Sequence, residues 1–470
     1  MPLGTAFFCA KTMKYGIVLT SMSENHSKVI TRFAPSPTGA AHAGSYRTAM
    51  FAWLFARHQG GEFILRIEDT DTARNQEGSD TQIIESLAWL GIDYDHMYRQ
   101  SDQVGRHKEV MEELIARGSA YISREEAKDG SGVIKDIVRF KNPNKVVTIH
   151  DLIRGEVSID TTDLGDFVIG KSLTEPIFHL ANVVDDHDEG VNYVIRAEEH
   201  LANTPRQMLI FEAMGWEIPT YAHLPIVLGV DKQKLSKRRG ALPMLAYRDL
   251  GYLPEAVFNC VAMVGWNPGQ GNEQEIFSRE ELVRLFDFAQ VQKSSAVFNP
   301  EKLNWFNREY IKKLDQPTQE KFLEQAFPAT FILPETLDKE KLFPVMIERI
   351  EYFTQITESI QQGEYDYLIT LPIYSTESLV WKTCDLATTV NHLTVMMNTW
   401  MAHTGDWDAA TLKSLVWDYA QAHGAGNVLW PTRYALSGRD KSPDPFTLAS
   451  ILGKATTLER LAHAIKALQA

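Results

Sequence analysis

Arg32-Phe-Ala-Pro-Ser-Pro-Thr-Gly-Ala-Ala-His-Ala-Gly44 reads as the end of a strand, a stiffened turn and the first turn of a helix. Pro35 and Pro37 fix φ through the turn, while Gly39 and Gly44 allow backbone to approach a ligand closely. The start of the helix offers unpaired N–H groups and the positive end of a dipole, an arrangement that favours phosphate. His42 stands there as a donor to a phosphoryl oxygen. Taken alone, His42 is more simply a helix cap; the loop around it tips the reading to phosphate.

Outward from this turn, short β-rich runs alternate with helical stretches. The runs are Val29–Phe33, Glu62–Ile67, Asp166–Ile169 and Tyr193–Ile195. Between the first two, Ala49, Met50, Trp53, Leu54 and Arg57 recur at helical spacing over Tyr46–His58. Such alternation predicts βαβ units and a mainly parallel sheet. Beyond about residue 250 the strands fade. Leu386, Val390, Leu393, Met397 and Trp400 form one helical stripe, Leu412, Leu415, Val416 and Tyr419 a second, and Leu458, Leu461, Ile465 and Leu468 a third. Pro317 and the polar run before it mark a boundary near 315–320.

The 470 residues are 44% hydrophobic and 23% charged, which excludes wholesale disorder and leaves room for several domains. No uncharged apolar run approaches the roughly 18–20 residues of a membrane span. Against 61 acidic residues stand 47 basic ones, a net charge of −14, so any nucleic acid must meet a local basic patch. The 3 cysteines, Cys9, Cys260 and Cys384, lie far apart without ligand spacing; this argues for a reducing cytoplasm and against structural zinc. Residues 1–28 hold Met1, Met13 and Met22 in unpatterned sequence and read as a ragged extension.

Charged residues gather at the expected carboxyl ends of strands: Arg32, Glu68-Asp-Thr-Asp71 and Arg196-Ala-Glu-Glu-His200. Ligands bind beyond those ends in open α/β sheets. Two arginines and a carboxylate converging there suit a zwitterionic amino acid, guanidinium to carboxylate and Glu68 to ammonium. Each one singly reads as surface ion pairing. Lys232-Gln-Lys-Leu-Ser-Lys-Arg-Arg-Gly240 is a basic loop able to close over a triphosphate, although such a run is usually just solvated.

Together these segments resemble class I aminoacyl-tRNA synthetases, specifically the bacterial-type glutamyl-tRNA synthetases. RFAPSPTG, HAGS in the place of the family's HIGH motif, GGEFILRIEDTD and KLSKR in the place of KMSKS follow in the family's order. His179–His187, Val194–His200 and Asn203–Arg206 lie between the last two. Trp430–Gly438 and Ser442-Pro443 are similar to parts of the helical anticodon domain.

The resemblance implies a Rossmann-like α/β catalytic domain (29–98 plus 176–230) carrying an inserted α/β subdomain (99–175) for the tRNA acceptor end. A KLSKR loop and stem-contact domain (231–316) and an all-α anticodon-binding region (317–470) follow. It implies a glutamate pocket of Arg32, Ala34, Ser36, Glu68, Phe178, Asn182 and Arg196, with Arg196 on the side-chain carboxylate. It implies ATP contacts from His42, Gly44, Glu199, Lys234 and Lys237, of which His42, Lys234 and Lys237 serve catalysis. Phe178 replaces the family's usual pocket tyrosine and removes a hydroxyl. Some relatives carry zinc within 99–141, where this chain has no cysteine, so none is expected.

The implied reaction joins L-glutamate to ATP, with Mg2+ on the phosphates, and transfers it to tRNA-Glu; activation waits for the tRNA. A cytoplasmic monomer is expected. A glutaminyl-tRNA synthetase is the nearest rival, but it carries a β-barrel anticodon region where this chain reads as helical. The tRNA-modifying relatives lack that half. A nucleotidyltransferase without RNA, or a non-catalytic RNA-binding descendant, fits the intact HAG and KLSKR segments less well.

Overall fold

The computed structural model describes residues 28–470 apart from 40, 127–131, 237–240, 270 and 383. Strand β1 (Ile30–Phe33), helix α1 (Ala43–His58) and strand β2 (Glu62–Ile67) form the first parallel unit, Arg32 lying in register with Ile64. The helix begins three residues before the expected Tyr46, because the chain turns helical directly after His42. Helix α2 (Ser79–Trp89) follows, and the further strands are β3 (His96–Arg99), β4 (Ala120–Glu126), β5 (Ile134–Phe140), β6 (Val146–Asp151), β7 (Gly155–Asp160), β8 (Phe167–Ser172), β9 (Glu175–Pro176), β10 (Tyr193–Ala197) and β11 (Thr220–Leu224).

The main sheet has seven strands in the order β3-β2-β1-β10-β11-β6-β7. Only the β6–β7 pair in it is antiparallel. The strand order reverses between β1 and β10, and a crevice opens beyond the carboxyl ends at such a switch point.

Two readings change here. The run Asp166–Ile169 supplies β8, which lies not in the parallel sheet but in a separate antiparallel one, β4-β5-β8-β9. β4 and β5, and β8 and β9, pair as hairpins, while β8 reaches β5 antiparallel after the excursion through β6 and β7, so none of these is a helical crossover unit. Nor does the stretch 99–175 stand apart as one insert. Its β6 joins the main sheet at Asp151, opposite Tyr221 of β11, and brings β7 with it.

Side-chain alternation in β2 sorts the two faces of the sheet. Phe63, Leu65 and Ile67 pack with Ala49, Met50, Trp53 and Leu54 of α1, and beyond them with Phe258, Phe286 and Phe306. Ile64 points the other way, toward α3 (Val104–Ala116), α4 (Phe178–Asp188) and α5 (Thr204–Met214), where Met111, Val184 and Ile210 fill a second core. Arg66 shares the parity of Ile64 and enters the same side with no exposure at all.

After Val297 the described residues hold helices and no strand. The three apolar stripes fall in helices Leu386–Ala402, Ala409–Ala422 and Pro445–Gln469. The buried line of the first helix runs through Thr389, His392, Leu393, Met396 and Trp400, leaving Leu386 exposed. Among the described residues no helix is long and apolar enough to cross a membrane.

The two halves meet through the helix Pro254–Ala262, with Val257 in the catalytic core and Ala256 in the helical one. At this junction Gly251 (φ 80°) accepts a hydrogen bond from the Phe353 N–H at 3.4 Å. A Cβ at Gly251 would lie 2.9 Å from the Phe353 Cβ. Gly251→Ala therefore combines a strained backbone with a clash, and should destabilise the chain by about 1–3 kcal/mol. Thermal unfolding checks this; an unshifted melt would mean the junction yields freely.

Candidate active site

Pro35 and Pro37 carry the chain away from β1, and His42 starts α1 at the mouth of the switch-point crevice. The His42 Nδ1 accepts from the Gly44 N–H at 3.1 Å, so the plainer capping role is real. With Nδ1 accepting, Nε2 is the nitrogen that bears the proton in the neutral ring. Gly44 makes the contact possible, since a Cβ there would come within 3.0 Å of the imidazole.

A cleft of about 580 Å³ opens between this turn, the ends of β1 and β10, and the start of α4. Arg32, Ala34, Ser36, Glu68, Phe178, Asn182 and Arg196 line it, as do His42, Gly44, Glu199 and Lys234. Lys237, the remaining site residue expected from sequence, lies outside the described residues. Lys234 is anchored by its neighbour Leu235, buried with its N–H on the Val227 carbonyl at 2.9 Å. At the cleft mouth the Lys234 ammonium pairs with the Glu199 carboxylate, so two expected ATP contacts hold each other.

The charges on the cleft wall are unequally matched. Arg32 grips Asp186 with Nε at 2.9 Å and Nη2 at 3.3 Å. Its positive charge is thus already answered within the protein, contrary to the expectation that both arginines are open to a carboxylate. Glu68 accepts from Asn182 at 2.7 Å and from Arg66 at 3.3 Å. Burial pushes the Glu68 carboxyl up, and Arg66 and Arg32 pull against it.

Arg196 differs. It is 6% exposed and forms no ion pair among the described residues; it donates to His223 from Nε at 3.2 Å and to Thr204 from Nη2 at 2.8 Å. Its Nη1 is buried without a partner. Burial lowers the guanidinium to about 10, and Arg32 adds to that, with no carboxylate close enough to reverse it. A buried cation with an orphaned donor on a cleft wall is built to receive an anion.

Sequence reasoning passed over Asp186, Arg66, Gln207, Thr204 and His223. The signal was present for two of them: Arg66 lies inside the apolar run Phe63–Ile67, and His223 inside Tyr221–Leu224. A polar residue in a buried strand needs a partner.

Residues 28–129 and 122–305 match the family described as tRNA synthetases class I (E and Q), catalytic domain, and residues 290–465 match an anticodon binding domain. A glutamate–tRNA ligase of Coxiella burnetii is 39% identical over 93% of this chain and 97% of its own length. The chain belongs to the glutamate–tRNA ligase family. The ligase of Aquifex aeolicus is 43% identical over 72% of this chain and 78% of its own. A crystal structure of the Elizabethkingia meningosepticum ligase in complex with its amino acid superposes with a TM-score of 0.82 at 30% identity, covering 94% of this chain and all of that one.

In the helical half, a second hollow of about 1090 Å³ is lined by Arg433, Arg439 and Lys441. The Arg433 guanidinium lies 4.7 Å from the Trp430 ring, which packs 4.6 Å from Trp381. Among the described residues no group of three or more His, Cys, Asp or Glu is placed to hold a metal ion.

Two histidines beside the cleft carry a pH signature. Burial, then the nearby arginines, lowers His179 from 6.5 to about 4, and His200 is lowered to about 4 by burial and Arg196. The unfolded chain therefore binds more protons than the folded one between those values. Their contribution to stability is complete above pH 6.5 and is lost as the pH falls toward about 4. The melting temperature should drop across that window, and His179→Asn should flatten the slope. An unaltered slope in thermal melts of the variant would remove His179 from this account.

Proposed function

We propose that the cleft condenses L-glutamate with MgATP to glutamyl-adenylate and passes the acyl group to the terminal ribose of tRNA-Glu. The unmatched guanidinium of Arg196 carries this reading. A glutamate side-chain carboxylate supplies the missing partner of Nη1, whereas the neutral amide of glutamine forfeits a charge-assisted hydrogen bond. Glu68 and the Ser36 turn take the ammonium end; Arg32, Ala34 and Asn182 shape the wall, and Phe178 packs without a polar contact.

The α-carboxylate attacks the α-phosphorus and pyrophosphate departs. The nucleophile is already an anion, so no general base is needed and the rate comes from alignment and charge stabilisation. His42 donates from Nε2 to a phosphoryl oxygen, and Gly44 lets the nucleotide approach the N-terminus of α1. Glu199 takes the ribose hydroxyls, which frees Lys234 for the phosphates, and Lys237 neutralises the leaving pyrophosphate. Mg2+ would come with ATP, held mainly by the nucleotide's own phosphates, and would supply charge neutralisation there.

In the first stage of transfer the 2′-hydroxyl of the terminal ribose attacks the adenylate carbonyl and AMP leaves. Arg433, Arg439 and Lys441 meet the anticodon end, where the Trp430 and Trp381 rings offer stacking surfaces for splayed bases. The protein works as a cytoplasmic monomer.

Arg196→Ala should lower kcat/KM for glutamate by about ten- to a hundredfold while leaving glutamine charging little changed. Charging assays with both amino acids read the ratio; an unaltered preference takes Arg196 out of the pocket. Lys237→Ala should slow adenylate formation by about a hundredfold, measured with tRNA present, at nearly constant glutamate KM. Equal losses in binding and turnover would make Lys237 merely structural.

A further inference from the structure

Behind Arg196 lies a set of buried groups that the reaction does not touch. The His223 Nδ1 is 2.6 Å from an Asp151 oxygen, and the same oxygen accepts the His223 backbone N–H at 3.0 Å. The other Asp151 oxygen accepts the N–H groups of Ile153 and Arg154 at 2.9 and 2.8 Å. Asp151 is held below the usual carboxylate range: burial raises it, but the His223 contact and the two backbone donors outweigh that. An ionised Asp151 fixes the His223 proton on Nδ1 and turns Nε2 into an acceptor. That Nε2 faces the Arg196 Nε at 3.2 Å and the Thr204 hydroxyl at 3.0 Å. Both His223 and Thr204 have no exposure.

The partners of Arg196 are therefore neutral. Arg32 and Arg66 are aimed by carboxylates, which consume their charge; Arg196 is aimed by an imidazole and a hydroxyl, which do not. A carboxylate in the place of His223 would hold the guanidinium equally firmly but would compete with an acidic substrate. Without any acceptor, Arg196 would turn away from the pocket.

We propose that His223 and Thr204, with Asp151 fixing the histidine tautomer, are positioning residues that aim Arg196 without neutralising it, and so set the preference for an acidic side chain. This rests on the reading of Arg196 given above. The three lie on β11, at the first residue of α5 and at the end of β6, so the strand that widens the main sheet also supplies the anchor of the specificity residue.

The test uses the full chain in charging assays that read KM for glutamate, KM for ATP and the glutamate-to-glutamine ratio. Thr204→Val is isosteric and removes one acceptor, and His223→Phe removes the other. Each should raise the glutamate KM about tenfold and erode the amino-acid preference by a similar factor, at unchanged KM for ATP. His223→Gln, whose amide oxygen can take the Nε proton, should recover most of the loss. A general loosening of the fold would instead raise both constants together and gain nothing from glutamine, and that outcome overturns the proposal. If His223→Phe does not fold, Thr204→Val decides alone, and an unchanged glutamate KM there overturns it. Normal constants in these variants beside a crippled Arg196→Ala sink only the cradle; a normal Arg196→Ala sinks the pocket assignment and the cradle with it.

Discussion

Arg66 has no exposure and sits among four carboxylates: Asp186 and Glu189 at 2.7 Å, Glu68 at 3.3 Å and Asp185 at 3.7 Å. Burial alone would weaken its hold on the proton, yet the acids outweigh that and push the guanidinium well above its ordinary value. Asp186 is kept below the usual range by the same balance, with Arg32 and Arg66 overcoming its desolvation. Taking such ions out of water is expensive, and removing one partner strands the rest at about 3–5 kcal/mol. The cluster therefore ties β1 through Arg32, β2 through Arg66 and α4 through its acids into one arrangement. Asp185 extends it to α3 through His107 at 2.6 Å, and to the turn after β3 through Gln100 at 2.7 Å.

This constraint decides what the cleft can offer. Arg32 is spent on Asp186, and Glu68 is shared by Asn182 and Arg66. Arg47, also on the lining and without an ion pair among the described residues, is tied to the Val264 and Pro225 carbonyls, while Arg196 is held by side chains alone. In the proposed reading, selectivity for an acid follows from distribution rather than from the number of arginines. Arg32 and Arg66 are structural ions, and Arg196 is the receptor in the function proposed above. Asn182 links the two systems, since its amide donates to Glu68 while its oxygen accepts from Gln207 of α5 at 2.9 Å.

The parts legible in the sequence are those written in local chemistry. The Pro-Gly turn after β1, the apolar strand β2 and the helical stripes of the last 150 or so residues depend on neighbours in the chain, and periodicity reports neighbours. Strand β8 was legible as a strand but not as to its sheet, because pairing partners are chosen by connection and not by composition. Of the cradle of Arg196, only His223 left a sign in the sequence, as a polar residue in a buried strand; its assembly left none. Asp151, Thr204 and His223 come from three elements, and no spacing in the chain records that they meet.

Helix α4 shows why a charge pattern can mislead even when read correctly. Asn182, Asp185, Asp186 and Glu189 step by 3, 1 and 3, the face that ordinarily turns to water. Here that face points inward, with Asn182, Asp185 and Asp186 each 2% exposed. What reverses it is the placement of arginines in largely buried strands, Arg32 in β1 and Arg66 in β2, neighbouring strands of the sheet with both arginines aimed at α4. An acidic stripe facing two strand arginines is a buried interface, whereas the same stripe without them is a surface. The helix and the strands thus specify one another, and the pocket is the gap they leave at the point where the sheet changes direction.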